Sequence, residues 1–516
     1  MSSVTTSRRR LLTGLAGAAL LAGCGSGATS APGATPDATA SPRRGGRLRA
    51  AFQTAGAKET LDPHAANLFV DGARSKALYD KLADFGADMS VQPRLAERFE
   101  PNADATRWRV TLRQADFHDG RPVTAEDVLA SYARIMADPA NRRAAIQLAA
   151  IDLGACRAVD GRTIEFVLKT ASAEFPSATA AFGTWIVPRD ATDFTRPVGS
   201  GPFRFSSFEP GKPLLLTRFD GYWDQPAWLD EVEFIPVNEE TARVNALVGG
   251  QIDYAHDLAT TSARTYAADA RVRIVRAPGS AMHAFAMKLD RPPFDKPEVR
   301  AAFRLIADRQ ELVNTVLSGM GEVGNDLFGK GYQYYADLPQ RTPDLDRAKA
   351  LLRQAGAEGL KVQLQTAHAG AGLVDAATIF AEQARKAGVA VEVSMGNKDT
   401  FWRDTLTGGS MASYRSGSMP IHSHIATRLL TTSPQNVTRW GSAEFDGLYQ
   451  KAQASVDEAA RTAVYRDMQT QLHERCGLLV WGFADWIVGT SSKVHGVGQA
   501  PPNTLDWARF ERVWLA

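Results

Sequence analysis

"RWRVTLRQADFHDGRPVTAEDVLASYARI", residues 107–135, changes its hydrophobic period once, and that change decides the fold class. Trp108, Val110 and Leu112 alternate with polar neighbours, which puts the apolar side chains on one face of a half-buried strand. Asp119-Gly120 is a turn signal. From Thr124 onward the spacing becomes helical, with Val128, Leu129, Tyr132 and Ile135 on one face, Thr124 as the expected N-cap and Asp127 at the third helical position. Strand, turn and helix follow one another within thirty residues, the signature of mixed α/β packing.

The same alternation recurs outward in both directions. "GRLRAAFQ" from Gly46, "TIEFVLK" and "PLLLTRF" are expected strands. Later the order becomes helix then strand. Ala348, Leu351 and Leu352 share a helix face, Gly356 stops it, and Val362 and Leu364 alternate. Ile379, Phe380 and Ala384 form a second face, with Gly388 as its C-cap glycine and Val389, Val391 and Val393 in a strand. No short-period repeat is present, which excludes a solenoid or propeller. At 516 residues the chain is long enough for two or three packed units. Its 44% hydrophobic and 22% charged residues and mean hydropathy of −0.23 are those of a globular protein. A net charge of +2, with both signs spread along the chain, gives no field for nucleic acid.

The first residues are different. Arg8, Arg9 and Arg10 precede an apolar run, Leu11–Gly23, shorter than the roughly 20 residues of a membrane-spanning helix, so residues 1–23 are expected to be a signal peptide. Its arginines resemble a twin-arginine export signal, the general secretory route being the alternative. Leu21-Ala22-Gly23-Cys24 resembles a lipoprotein box, which makes Cys24 the expected site of lipidation and the membrane attachment. Residues 24–45, rich in Gly, Ala, Ser, Thr and Pro, are expected to be a flexible tether. Only Cys156 and Cys476 remain, in no zinc-site spacing, and whether they pair is open.

Five further stretches carry a family resemblance. "TLDPHAANLFVDGARSKALYDKLADF" (60–85), residues 91–135, "GSGPFRFSSFEPGKPLLLTRFDGYWDQPAWLDEVEFIPV" (199–237), "RPPFDKPEVRAAFRLIADRQELVNTVLSGMG" (291–321) and "RWGSAEFDGLYQKA" (439–452) are together similar to the solute-binding proteins of ABC importers, in the large peptide- and nickel-binding class (family 5 type). That resemblance implies an α/β, two-lobed periplasmic-binding-protein-like fold with an extra subdomain and a hinge. Lobe I and the subdomain are expected in 46–285 plus 481–516, and lobe II in 286–480. It implies a non-enzymatic, monomeric receptor on the extracytoplasmic face, with a small-molecule or short-peptide ligand, ABC permease subunits as partners and no cofactor. A ligand that touches both lobes shifts the open and closed populations.

The candidate site residues are read partly from this resemblance. Peptide binders of the class commonly carry an aspartate in the segment corresponding to 403–440, where it meets the ligand ammonium. Here no acidic residue lies between Asp404 and Glu444, and ungapped threading back from Trp440 puts Ser418 or its neighbours at that place, with Arg415 just before. Arg415 and His422 would suit a carboxylate. His422 and His424 are also weak candidates for a nickel chelate, since nickel receptors of the class use a histidine hereabouts; on a strand the two would point the same way, on a loop they need not. Trp185, Trp402, Tyr414 and Trp440 are pocket or core aromatics, and Trp223 a core one. The resemblance turns Asn67–Asp71 toward the cleft, with Asn67 as a contact and Asp71 as a replacement carboxylate. Phe117-His118-Asp119-Gly120, Gly199-x-Gly201-Pro202 and Pro292-Pro293-Phe294-Asp295 are expected to be structural turns. The expected function is capture of a peptide-like or other small organic solute for a permease. A nickel-chelate receptor is the alternative within the class, and a sensor that signals without transport shares every feature. A secreted hydrolase is disfavoured, because neither a Gly-x-Ser-x-Gly elbow nor a His-Glu-x-x-His helix occurs.

Overall fold

Two long antiparallel strands, Val272–Met287 and Leu478–Ser491, lie side by side in an 11-stranded sheet of the computed structural model, which describes residues 41–516. The expected signal peptide, Cys24 and the tether up to residue 40 lie outside the described residues. Partners change along the two long strands. At one end Gly489 and Thr490 pair with Tyr254–Ala255, and the sheet continues through Arg47–Phe52, Glu231–Pro236, Leu214–Arg218 and Phe203–Ser207. At the other, Ala281–Met287 pairs with Met411–Gly417, which leads to Lys361–Thr366 and Ala390–Met395.

Between these regions the ladder of the long strands is interrupted from Ala277 to Ala281. The intervening residues are Pro278-Gly279-Ser280; proline lacks the N–H a ladder needs, and Gly279 sits at φ +67°, a backbone state glycine adopts without strain. Two halves, each with its own stretch of sheet and its own core, are thus joined through a pair of interrupted strands, and a further core of the second half also takes in Met89 from the first. This is a two-lobed α/β architecture.

The opening stretch builds the subdomain. Arg107–Leu112 joins Ala96–Pro101, Thr163–Val167 and Arg157–Asp160 in a separate four-stranded sheet. Helix Ala125–Met136 lays Val128, Tyr132 and Ile135 on it, against Trp108, Val110 and Phe166. Its start is fixed as its sequence dictates: Asp127 N–H donates to Thr124 Oγ1, and Thr124 N–H donates back to the Asp127 carboxylate at 2.9 Å. Helix Leu373–Lys386 is closed by Gly388 at φ +80° and feeds strand Ala390–Met395. Gly201 is required by packing: a Cβ there would lie 2.5 Å from the Ala77 carbonyl oxygen, where the chain presses on the end of helix Phe69–Leu78. Cys156 and Cys476 are free thiols belonging to different cores. Among the described residues no helix is long and apolar enough to cross a membrane.

Candidate functional site

Strand Met411–Gly417 ends where the two halves meet. Ser418-Met419-Pro420 turns the chain into helix Ile421–Arg428, and Asn503, from the other half, holds that turn: its Nδ2 donates to the Ser418 carbonyl at 2.6 Å. Beside this contact is a cavity of about 310 Å³, a size suited to a small organic ligand, walled by both halves. Phe85 and Met89, on the hairpin Ala83–Phe85/Val91–Pro93, reach into it from the first half. The hairpin is anchored by Asp84, a buried carboxylate paired with Lys76, Lys81 and Arg94, whose charges outweigh its burial and hold its pKa far below the usual range. Ile146, 68% exposed, adds a bare apolar side chain to the same wall.

The cavity's charge is one-sided. Arg143 lies with its guanidinium carbon 4.8 Å from the centre of the Phe182 ring and has no carboxylate partner among the described residues. Its side chain is exposed, yet crowding by the protein pushes its pKa below that of an ordinary arginine. Arg428, from the second half, donates to Gln435 Oε1 at 2.9 Å, while its Nε is buried without a partner. No Asp or Glu lines the cavity.

Two further features span the halves. Asp257, just after strand Tyr254–Ala255, and Arg415, on Met411–Gly417, both keep solvent-accessible surface yet are crowded by protein, as groups in a cleft are. Burial raises the Asp257 pKa, opposed by Arg243 and Arg415; burial lowers that of Arg415, opposed by Asp257. Farther along, Glu174 lies 3.0 Å from Arg461 Nε, His422 Nε2 is 2.9 Å from Ser177 Oγ, and Ala173 N–H donates to the Gln453 carbonyl.

The structure distributes the expected site residues unevenly. Ser418 is in the cavity wall. Asp71 caps its own helix, its carboxylate accepting from the N–H groups of Asn67 and Leu68 at 2.9 Å, which occupies one oxygen of the expected replacement carboxylate. Asn67 is exposed, its Nδ2 donating to the Ala65 carbonyl. Trp185 is fully buried under the Lys81 ammonium, and Tyr414 and Trp440 pack in or against a core of the second half. Trp402 lies on helix Phe401–Thr407, edge-on to Phe401 and outside the cavity wall.

His422 and His424 require a correction. They lie on helix Ile421–Arg428, where residues two apart point to different sides, so the strand geometry expected for a shared metal does not hold. His422 turns to Ser177, and His424 is buried, stacked on Phe328 with centroids 3.9 Å apart. No group of three His, Cys, Asp or Glu able to hold a metal occurs among the described residues. His118 instead ties a turn, its two ring nitrogens bonded to the Gly199 N–H and the Gly201 carbonyl. Sequence reasoning missed Arg143, Arg428, Asn503 and Asp257. The available signal was an arginine without an acidic neighbour in "PANRRAAIQ" and an Asp two residues beyond the strand in "DYAHD".

Two lobes joined by interrupted strands, with a cavity walled by both, are the architecture of a two-lobed binding protein. The family model for bacterial extracellular solute-binding proteins, family 5, matches residues 90–435, and the chain belongs to that family. Membership makes it an extracellular solute-binding protein, not an enzyme. Similar relatives include the glutathione-binding protein GsiB of Pectobacterium atrosepticum, 24% identical over 450 residues, covering 83% of this chain and 85% of the relative. Among solved structures, HbpA2 from Haemophilus parasuis superposes with a TM-score of 0.82 at 21% identity, over 91% of this chain and 100% of that one. AgaA from A. tumefaciens R10, in complex with agropinic acid, does so with a TM-score of 0.71 at 25% identity, over 91% and 99%.

Proposed function

We propose that this chain captures a small organic solute, peptide-like in size, in the cavity between its halves and delivers it to an ABC permease. The observation that carries the reading is the cavity of about 310 Å³, whose wall takes Phe85 and Arg143 from one half and Met419 and Arg428 from the other. A solute held there touches both halves, so its binding free energy favours the shut form. Similarity to a glutathione-binding protein supports a short peptide or related compound. The lobes are taken as 46–285 with 481–516 and 286–480; a pivot at the ladder break, Pro278–Ser280, shifts 281–285 and 481–484, hydrogen-bonded into the second half's sheet, from the first moving body to the second. Cys24 is the lipid attachment that keeps the monomeric receptor beside its permease, outside the cytoplasm. Calorimetry with glutathione and short peptides, against nickel with free histidine, tests this: heat with the organic solutes supports it, and heat with the nickel chelate alone refutes it.

A further inference from the structure

Two cavities are walled by both halves: one of about 320 Å³ holds Glu174, Glu458 and Arg461, while the one beside Ser418 is polar on several sides with arginines as its ionic side chains. Arg143 comes from the segment before helix Ala145–Leu148, in the first half. Among the described residues it has no hydrogen bond or ion pair to a protein acceptor, and its guanidinium lies over the Phe182 ring. Arg428 ends helix Ile421–Arg428 of the second half; one of its terminal nitrogens reaches Gln435 and Thr427, and its buried Nε is unpartnered. Guanidinium groups taken partly out of water are costly unless an anion answers them. Elsewhere this chain answers buried arginines with carboxylates, as for Arg304, Arg309 and Arg341 around the buried Asp326 or Arg94 beside Asp80 and Asp84, or with backbone carbonyls, as for Arg243 and Arg300. At the cavity it does not. The remaining polar groups on the wall, Gln147, Ser423, Gln435 and Asn503 among them, are neutral.

We infer that the solute bears carboxylate or equivalent anionic groups, and that Arg143 and Arg428 grip it from opposite halves, so that charge recognition and closure are one event. This rests on the receptor reading above and narrows it to a solute class. A planar guanidinium matches a carboxylate with two parallel hydrogen bonds, and a partly dry setting strengthens them. Because one arginine sits on each half, an anion spanning them favours the closed form over the open one. An ammonium or amide finds no matching charge on this wall. Apolar Ile146, Met89 and Phe182 leave room for an uncharged body between the anionic ends.

Thermal-shift and calorimetric titrations of the purified chain test this with three probe sets of matched size. These are glutathione and simple dicarboxylates, the same compounds as methyl esters or amides, and diamines with lysine-rich dipeptides. The expected result is binding by members of the first set, loss on esterification, and silence from the third. Arg143→Gln and Arg428→Gln should each weaken the best carboxylate by roughly tenfold to a hundredfold, the loss of a charge-assisted pair. Arg143→Lys should recover part of it, which separates charge from folding. Esters or amines that bind as well as the acids, or Gln variants with unchanged affinity and melting temperature, overturn the inference while leaving the receptor reading intact. If no probe in any set binds, both fall.

Discussion

Glu174→Gln is the most informative single change for the contact between the halves. Glu174 lies 3.0 Å from Arg461, both side chains are about nine-tenths buried, and the two residues belong to opposite halves. At a charge separation of about 4 Å and an effective dielectric of about 20, the attraction is about 4 kcal/mol. The amide keeps the shape and a carbonyl dipole facing Arg461, and Arg461 keeps the Tyr334 hydroxyl and the Ser455 carbonyl. About half of that attraction, roughly 2 kcal/mol, is therefore lost, a shift of roughly 30-fold in the ratio of touching to separated halves. Single-molecule energy transfer reads this directly, with dyes on cysteines introduced at the exposed Lys212 and Arg385 in a Cys156→Ser background. The ligand-free variant should populate a longer distance than the parent. Arg461→Met should do the same, and the double variant should add little further. Identical distance distributions for parent and both single variants would refute the electrostatic account of the contact.

Three other outcomes follow from the structure. His64 is held neutral, its Nε2–H donating to the Trp185 carbonyl and its Nδ1 accepting from Arg134, and burial with Arg134 brings its pKa down to about 4. Its folded pKa lies below the unfolded value of about 6.5, so stability is intact above that pH and falls by up to about 3 kcal/mol as the pH drops toward 4; urea unfolding across this range should show the decline, and His64→Gln should flatten it. Gly201→Ala forces a methyl against the backbone of Ala77, Leu78 and Tyr79 and should cost about 3 kcal/mol, seen as a lower melting temperature. Arg415→Met removes a cation that opposes the burial of Asp257, so the Asp257 pKa should rise further above its ordinary value, measured by carboxyl carbon NMR titration.

Much of the fold is legible because local rules and packing agree. The Thr124–Asp127 cap, the alternation at Trp108, Val110 and Leu112 and the stop at Gly388 each fall where the spacing places them. The site is less legible, since a cavity wall is assembled from residues that tertiary packing brings together. The stretch 403–440 does supply Ser418, Met419, Ser423 and Arg428, but Arg143, Phe182 and Asn503 arrive from distant segments of the other half. The His422–His424 pair misleads because its geometry depends on secondary structure; Pro420, ahead of Ile421–Arg428, was the sign that a helix starts there. Asp71 resembles a ligand carboxylate until its place at the third position of its own helix shows what it binds. Trp185 and Tyr414 show that an aromatic residue gives no sign, from sequence, of facing a core or a cleft.

The central claim is that a solute seated between the halves draws them together. Small-angle scattering of the mature chain, titrated with a carboxylate solute whose binding calorimetry has established, measures this most directly. The account predicts a smaller radius of gyration that saturates with the calorimetric isotherm and, in Arg143→Gln, moves with it to roughly tenfold to hundredfold higher solute concentration. Full occupancy with an unchanged scattering profile would contradict it.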